Sequence, residues 1–261
     1  MTLNILFPVL NEHRRLERGI RTAAEYCRAN LEDSVRLTIL DNGSDDDTPA
    51  IGQRLAKEYP EVEYVRIEQR GVGIAFRTGV ERSKADIVGY MDIDLSTDLR
   101  SLGQTMKLFR DDPELEYVNA SRFHRDSVTE GRKWYRKITS AGLLFLLGAV
   151  LHMKSTDAIC GFTFVRRPVA DRLVKECYND NGWFYMIEFL LRAERDGVRI
   201  YDMPVHWTEN YDTTVKIGKT VRNYLRNIRR LRRTFAEEKR ETQGNGCRRE
   251  HGRGNQSAEK N

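Results

Sequence analysis

Two carboxylates, Asp92 and Asp94, directly follow the apolar run Ile87–Met91. The run predicts a buried strand, and charged side chains are normally kept away from the end of such a strand. Both acids can turn toward one cation once the chain has left the strand. Hard divalent cations take few protein carboxylates and complete their coordination with water and phosphate oxygens. We therefore expect Asp92 and Asp94 to bind Mg²⁺ or Mn²⁺ with a diphosphate; a solvated acidic turn is the alternative.

Polar residues also follow two earlier apolar runs. The run at 3–9 contains Pro8 near its end and is followed by Asn11 and Glu12, and the run at 35–40 is followed by Asp41. A carboxylate at a strand end can accept hydrogen bonds from a nucleobase N–H or a ribose hydroxyl. The alternative for Asp41 is an ordinary turn that leads into a capped helix.

The elements that must position these residues alternate in type. Apolar spacing predicts strands over 3–9, 35–40, 62–67 and 87–91, separated by helices over 14–29, 48–59 and 71–82. This order is typical of an α/β fold with a mostly parallel central sheet and helices on both faces. Because ligands of open α/β sheets bind at the carboxyl ends of the strands, we expect the polar groups to meet in one crevice.

A glycine-led stretch, QRGVGIAFRTG, opens the third helix and contains Gly73 and Arg77. Glycines allow close approach of the backbone to a ligand, and a helix N-terminus favours anions, so the stretch resembles a phosphate-binding loop. It lacks the GK[ST] ending of a Walker A motif. The alternative is that Gly71 and Gly73 are packing or turn glycines.

The net charge of +5 is concentrated at the C-terminal end. Residues 216–261 hold 14 Lys and Arg against 5 Asp and Glu. Residues 219–235 combine an apolar stripe with arginine flanks, which predicts an interfacial helix lying on an anionic membrane surface. The alternatives are a helix packed on the domain and a nucleic-acid-binding tail. A nucleic-acid partner is not expected, because it leaves Asp92 and Asp94 without a role.

These patterns divide the chain into a catalytic domain over 1–216, a basic amphipathic helix over 217–240 and a disordered polar tail over 241–261. The uncharged run at 138–151 is too short to span a bilayer and predicts a buried or interfacial helix. Four cysteines stand far apart, without the spacing of a zinc site or of a disulfide framework. No signal peptide is recognised. We expect reduced thiols and a cytoplasmic protein.

Four stretches occur in the order and spacing of the family 2 inverting glycosyltransferases: FPVLNE, LDNGSDDDT, RGVGIAFRTG and YMDIDLSTD. Four more resemble the branch that transfers sugars to polyprenyl phosphates, the dolichyl-phosphate glucose and mannose synthases: ASRFHRDSV, STDAICGFTFVRR, GWFYMIEFLLRAERDG and MPVHWTEN. The resemblance covers roughly residues 3–216. It implies a nucleotide-sugar-binding fold of the GT-A type.

The resemblance also implies residue roles. The nucleoside would be bound by Pro8, Asn11, Glu12 and Asp41. The rest of the donor would contact Gly73 and either Arg77 or Arg70. Asp92 would face the ribose or the metal, and Asp94 would be the main metal ligand. Arg122 would meet phosphate oxygens, Asp157 would shape the sugar pocket, and Glu188 would lie near the sugar or the acceptor.

The reaction implied is transfer of a hexose from a nucleotide sugar, UDP rather than GDP, to a polyprenyl phosphate at the cytoplasmic membrane face. A phosphate acceptor is already an anion at neutral pH, since its second pKa is near ~6, so it needs cations and no general base. The basic residues between 122 and 136 would supply them. If the acceptor is a hydroxyl of a glycan, Glu188 or Asp157 would be the base. Relatives of this branch often carry transmembrane helices, which adds a membrane-protein partner to the expectations.

A nucleotidyltransferase also binds nucleotide and metal in an α/β fold. It would need a basic nucleotide loop near the N-terminus, which the stretch FPVLNEHRR does not resemble.

Overall fold

The computed structural model describes the backbone of residues 1–209 and 217–253 and the side chains of residues 1–209 and 221–241. In chain order the elements are β1 (Thr2–Val9), α1 (Leu16–Asn30), β2 (Ser34–Asp41), α2 (Thr48–Glu58), β3 (Val62–Arg66), α3 (Val72–Arg82), β4 (Ile87–Met91), α4 (Arg100–Asp111), β5 (Tyr117–Ser121), β6 (Val128–Glu130), α5 (Trp134–Leu151), β7 (Phe162–Arg166), α6 (Arg167–Glu176), α7 (Phe184–Arg195), β8 (Ile200–Pro204), β9 (His206–Thr208) and α8 (Ile217–Arg253). The chain divides into two compact units, whose described parts are residues 1–145 with 153–209 and residues 146–152 with 217–253.

The first unit is built on a sheet in the order β3-β2-β1-β4-β7-β5-β8. Strand β7 runs antiparallel to β4 and β5, and the other neighbours are parallel. Central strands such as β4 and β5 are buried throughout, because helices cover both faces, and they therefore read as continuous apolar runs. The predicted mostly parallel sheet with helices on both faces is confirmed.

The two helical layers, one on each face of the sheet, pack through different sets of side chains. Helices α1, α2 and α4 share one core with the sheet, through Leu16, Ile20, Leu55, Leu102 and Met106 among others. Helices α3, α6 and α7 pack on one another on the opposite face. There the ring of Phe189 lies 5.1 Å from Phe76 and 6.1 Å from Tyr117.

A small parallel pair, β6 with β9, brings the second half of the chain next to the loop that follows β4. The backbone N–H of Thr208 donates to the carbonyl of Ser96 at 2.8 Å, and that of Asp98 donates to the carbonyl of His206 at 3.0 Å. The segment around β9 therefore lies beside the loop that carries Asp92 and Asp94.

The second unit consists of the end of α5 and helix α8. Its buried apolar side chains are Leu147, Leu151, Ile228 and Leu231. Helix α8 continues to Arg253, past residue 241, where the sequence predicted a disordered tail. Glu, Gln and Arg are good helix formers, which offsets the three glycines in this stretch. Residues 254–261 of that tail, and the predicted domain boundary at 216, lie outside the described residues.

Helix α5 begins at Trp134, four residues before the uncharged run from which it was predicted. Across the described helices, none combines the length and apolar character needed to cross a membrane.

Candidate active site

Asp92 and Asp94 lie just past the end of β4, and both are half-buried. The hydroxyl of Tyr90 donates to Asp92 Oδ1 at 2.6 Å, and the backbone N–H of Ser96 donates to Asp94 Oδ1 at 2.9 Å. Burial raises the pKa of Asp92 to about 7, and the negative charges of Asp94 and Glu12 add to this rise. The three acids therefore lie within electrostatic reach of one another, with an excess of negative charge that a divalent cation would neutralise.

The donor set fits a hard divalent cation. No group of three or more His, Cys, Asp or Glu side chains that could hold a metal occurs within the described part of the chain. Asp92 and Asp94 would therefore supply only part of a coordination shell, and a bound phosphate and water would complete it. This is the usual arrangement for Mg²⁺ in nucleotide sites, and Mn²⁺ accepts the same oxygen ligands.

Gly161, just before β7, is packed directly against Asp92. Its carbonyl accepts a hydrogen bond from the Asp92 backbone N–H at 3.1 Å. A Cβ atom at position 161 would lie 1.8 Å from Asp92 Oδ2, a distance that no side chain can adopt. The antiparallel pairing of β7 with β4 brings the two residues together, so glycine here sets the position of the carboxylate.

Asn11 and Glu12 join the loops that follow β1 and β2. Asn11 has a left-handed backbone, with φ of 57°. Its Nδ2 donates to Asp45 Oδ1 at 2.7 Å, and its Oδ1 accepts from the Asp45 backbone N–H at 3.0 Å. The Glu12 backbone N–H donates to Thr48 Oγ1 at 2.8 Å. Pro8 lies within β1, in register with Leu40. These contacts make one continuous wall at the carboxyl ends of β1 and β2.

Asp41 is fully buried, and its carboxylate is hydrogen-bonded to other residues of the protein. It accepts hydrogen bonds from the Ser44 backbone N–H at 2.9 Å, from the Tyr64 hydroxyl at 2.6 Å and from Arg66 Nη1 at 3.1 Å. The adjacent Asn42 is also buried, but its Oδ1 has no hydrogen-bond partner within the described residues. The Oδ1 atom of Asn42 is therefore available to a ligand at this strand end. Asn42 was not predicted as a site residue from the sequence, because an Asn-Gly pair is typical of a turn.

Gly73 and Arg77 contact the loop that precedes α7. The Gly73 backbone N–H donates to the carbonyl of Asn181 at 2.9 Å, and a Cβ at position 73 would lie 2.3 Å from the carbonyl oxygen of Asp180. Arg77 donates to the carbonyl of Asp180 at 2.8 Å and to Asn181 Oδ1 at 2.7 Å. For these two residues the contacts favour the packing alternative over donor binding, because the loop occupies the N-terminal end of α3.

Arg122 and Asp157 form a buried ion pair. Asp157 Oδ2 accepts from Arg122 Nε at 2.8 Å, and its Oδ1 accepts from Nη2 at 3.1 Å and from the Ile159 backbone N–H at 2.9 Å. Burial by itself would lower the pKa of Arg122, but Asp157 and then Asp92 raise it above its usual range. Asp157 therefore positions Arg122, whose positive charge reaches the acid pair.

Glu188 lies on α7 and is completely buried, so it is no surface charge of an amphipathic helix. Its Oε1 accepts a hydrogen bond from the Tyr178 backbone N–H at 3.0 Å and pairs with Arg192 Nε at 3.2 Å. These contacts tie α7 to the loop before it. A glutamine substitution here would disturb a buried ion pair, so its effect on activity would not by itself identify a general base.

Arg132 is half-buried beside Arg122, and Trp207 lies between them. The guanidinium carbons of Arg122 and Arg132 lie 5.4 Å and 5.8 Å from the centroid of the Trp207 ring. Arg132 Nη2 donates to Ser140 Oγ at 2.7 Å, and no carboxylate among the residues with described side chains pairs with it. Burial lowers the pKa of Arg132, and Arg122 lowers it further. We call Arg122, Arg132 and Trp207 the arginine cluster; it has an unneutralised charge that suits an anionic ligand.

The same segment carries a carboxylate that sequence reasoning missed. Glu209 is buried and pairs through Oε1 with Arg136 Nη1, while its Oε2 has no partner within the described residues. Among the described side chains, this pairing neutralises Arg136, whereas no carboxylate pairs with Arg132. The stretch MPVHWTEN carried a signal, a tryptophan close to an acid, but the position of this segment beside the loop after β4 depends on the β6-β9 pair.

Replacing Asp157 with alanine should destabilise the protein by about 3–5 kcal/mol, because it leaves the Arg122 guanidinium buried without its counter-ion. Urea denaturation followed by circular dichroism measures the change. The matched control is Asp126→Ala, which removes an exposed partner of Arg125 and should cost within about 0.5 kcal/mol. Equal losses in the two variants would contradict a buried pair at Arg122.

Gly161→Ala should weaken binding of Mn²⁺ in the presence of UDP by about 10- to 100-fold, because the new methyl group displaces the Asp92 carboxylate. Calorimetric titration of the metal measures it, and a thermal melt checks that the fold is retained. Gly142→Ala is the control, since an added Cβ at that position meets nothing within 4 Å. Unchanged metal affinity in Gly161→Ala would contradict the placement of Asp92 as a ligand.

Comparison with solved structures agrees with this architecture. Glucosyl-3-phosphoglycerate synthase from Mycobacterium tuberculosis, crystallised with UDP, superimposes with a TM-score of 0.61 at 18% identity, covering 84% of this chain and 74% of the other. The same enzyme crystallised with Mn²⁺, UDP and glucosyl-3-phosphoglycerate gives the same TM-score. At this identity the likeness shows the fold, which is of the GT-A type.

Curated relatives are sugar transferases. The chain is 31% identical over 221 residues to the glycosyltransferase AglD of Haloferax volcanii, covering 84% of this chain and 35% of AglD. It is 26% identical over 230 residues to the dolichyl-phosphate beta-glucosyltransferase ALG5A of Trichomonas vaginalis, covering 84% of this chain and 70% of that protein. The chain thus spans about a third of the length of the first relative.

The family model described as glycosyl transferase family 2 matches residues 4–174, which include β1 to β7 and both Asp92 and Asp94. Together with the sheet order and the relatives, this match establishes the family predicted from the motifs. The chain belongs to the family 2 glycosyltransferases and is related to the dolichyl-phosphate glucosyltransferases.

Proposed function

We propose that the protein transfers a hexose from a UDP-sugar to a polyprenyl phosphate, with inversion at the anomeric carbon. The observation that carries the proposal is the position of the arginine cluster beside the acid pair. Arg132 is half-buried and has no carboxylate partner among the described side chains, which suits an acceptor phosphate, and Asp92 and Asp94 suit the metal of a nucleotide diphosphate.

The donor would lie along the carboxyl ends of β1, β2 and β4. Asn42, with an uncommitted Oδ1, is suited to the nucleoside, and the loops joined by Asn11 and Asp45 form the adjacent wall. Asp92 and Asp94 would hold Mg²⁺ or Mn²⁺, which when bound neutralises the charge that develops on the leaving diphosphate. The solved neighbour that contains Mn²⁺ and UDP supports this choice of metal and nucleotide.

The acceptor would need to be positioned rather than deprotonated. A phosphate monoester carries its nucleophilic oxygen as an anion at neutral pH, because its second pKa is near ~6. Arg132 would bind the phosphate, with Arg122 held behind it by Asp157. The names of the Trichomonas vaginalis and Dictyostelium discoideum relatives, both dolichyl-phosphate beta-glucosyltransferases, support a lipid-phosphate acceptor and glucose as the hexose.

The proposed location is the cytoplasmic face of a membrane, with the protein held peripherally by basic and apolar surfaces. Support comes from the lipid nature of the acceptor and from α8, whose described part carries six arginines between 222 and 233. A membrane-protein partner is part of the same proposal.

A hydroxyl acceptor on a glycan or glycolipid is the second candidate. The observation that favours it is Glu209, whose buried Oε2 has no partner in the described part of the structure and could accept a proton. Glu188 is less suited, because Arg192 and the Tyr178 backbone occupy its Oε1. A hydroxyl acceptor would make activity depend on Glu209 as a base.

The assay that tests the proposal measures transfer of glucose from UDP-glucose to a polyprenyl phosphate. Arg132→Ala should lower kcat/KM for the acceptor by about tenfold or more, while UDP affinity changes by roughly twofold at most, because the proposed role of the side chain is to bind the acceptor and not the donor. Arg125→Ala, at a fully solvated arginine in the same stretch, is the control and should leave both values nearly unchanged. No transfer by wild type, or a loss of UDP affinity equal to the loss of kcat/KM, would contradict the proposal.

A further inference from the structure

The carboxylate of Asp202, on strand β8 at the edge of the sheet, holds the loop that carries Asp157. Its Oδ2 accepts hydrogen bonds from the Thr156 backbone N–H at 2.5 Å and from Thr156 Oγ1 at 2.9 Å. Its Oδ1 accepts from Asn119 Nδ2 at 2.8 Å, and the same amide group donates to the backbone carbonyl of Asp157 at 2.7 Å. The backbone is therefore fixed on both sides of the Asp157 side chain.

The same hydrogen bonds continue to the chain that carries Arg122. Thr156 Oγ1 lies 2.6 Å from Ser121 Oγ, which is buried at the end of β5. That oxygen accepts hydrogen bonds from the backbone N–H groups of Phe123 at 3.1 Å and His124 at 3.0 Å. Residues on both sides of Arg122 are thus tied to the loop before β7. Both members of the buried ion pair therefore depend on one hydrogen-bonded network.

Three donor groups surround Asp202, and this arrangement requires a carboxylate. Both oxygens of a carboxylate accept hydrogen bonds, whereas an asparagine would turn its own NH2 group toward a donor. Among the residues with described side chains, no Lys or Arg forms an ion pair with Asp202. Hydrogen bonds, rather than a counter-ion, therefore stabilise its charge, and the loop before β7 depends on that carboxylate in turn.

Strand β8 does not need this carboxylate to remain in the sheet. It pairs with β5 through the backbone over Ile200–Pro204, and Met203 and Val205 are part of the core. A side chain that served only to fasten the strand would bond to β5 alone. The two bonds to Thr156 instead connect Asp202 to the loop that positions the buried ion pair of the candidate active site.

We propose that Asp202 is a positioning residue for the transfer reaction, which orients Arg122 through Asp157. This assignment rests on the proposed function, in which Arg122 stands behind the acceptor phosphate. In this role Asp202 contacts neither substrate. Without its hydrogen bonds the loop would shift, and the guanidinium would shift with it. A displacement of about 1 Å in a group that positions a substrate can lower the rate by about 100-fold.

Transfer of glucose from UDP-glucose to a polyprenyl phosphate, together with calorimetric titration of UDP in the presence of Mn²⁺, tests this role. Asp202→Asn should lower kcat/KM for the acceptor by about tenfold or more, because its NH2 group would face the donors of Asn119 or Thr156. UDP affinity should stay within about twofold, since Asp92 and Asp94 are held by other hydrogen bonds.

Glu116→Gln is the matched control. The Glu116 carboxylate accepts the Arg199 backbone N–H at 3.0 Å, just before the same two strands begin and at the opposite end of β5 from Arg122. The amide oxygen of glutamine can still accept this bond, so both values should remain nearly unchanged. Thr156→Val is a second, milder variant at an exposed position, where the fold should be retained. It removes a hydroxyl that donates to Asp202 and should lower kcat/KM for the acceptor by about fivefold.

A double-mutant cycle with Arg122→Lys separates positioning from a general loss of stability. Lysine keeps the positive charge but cannot bind both oxygens of Asp157 in the fixed geometry of a guanidinium. In that background Asp202→Asn should cost less than about twofold, because it acts through an orientation that lysine has already lost. Unchanged kcat/KM in Asp202→Asn and in Thr156→Val, or a full cost that persists beside Arg122→Lys, would overturn this assignment alone. No transfer by wild type would overturn the proposed function and this assignment with it.

Discussion

The buried ion pair between Arg122 and Asp157 fixes the charge pattern of the site. Arg122 follows β5 and Asp157 precedes β7, and these strands are antiparallel neighbours in the sheet. Because the pair is desolvated, neither charge is stable without the other. Held in this way, the guanidinium is close enough to Asp92 to act against the rise of its pKa, and its carbon lies 5.4 Å from the centroid of the Trp207 ring. The position of the positive charge thus depends on sheet topology rather than on a flexible side chain.

Because of this charge pattern, one crevice contains two regions that would bind anions in different ways. On one side, Asp92 and Asp94 have an excess of negative charge and attract a cation that would bind a diphosphate. On the other, Arg132 has an excess of positive charge, because in the part of the chain with described side chains Glu209 pairs with Arg136 and no carboxylate pairs with Arg132. A nucleotide-sugar donor with its bound metal would be complementary to the acidic side of the crevice. An acceptor phosphate would be complementary to the basic side. Direct attack of one on the other then requires no proton transfer.

Much of the fold could be predicted from the sequence, because its strands are parallel, buried and therefore strongly apolar. The acids after β4 could be located in the same way, since their position depends only on where one strand ends. The contacts of Gly73 and Arg77 could not be predicted, because the loop that covers them is about a hundred residues away in the chain. Asn42, Trp207 and Glu209 were missed for a related reason: their environment comes from long-range pairing, which the neighbouring residues in the sequence do not specify.

The most direct test of the account is a calorimetric titration of UDP and GDP, with and without Mn²⁺, on wild type and on Asp94→Ala. We expect UDP to bind wild type only weakly without the metal and about tenfold or more tightly with it, and we expect Asp94→Ala to lose that gain. GDP should bind poorly under both conditions. Equal UDP binding with and without Mn²⁺, or an undiminished metal effect in Asp94→Ala, would contradict the assignment of the two acids after β4 as the metal bridge to the donor.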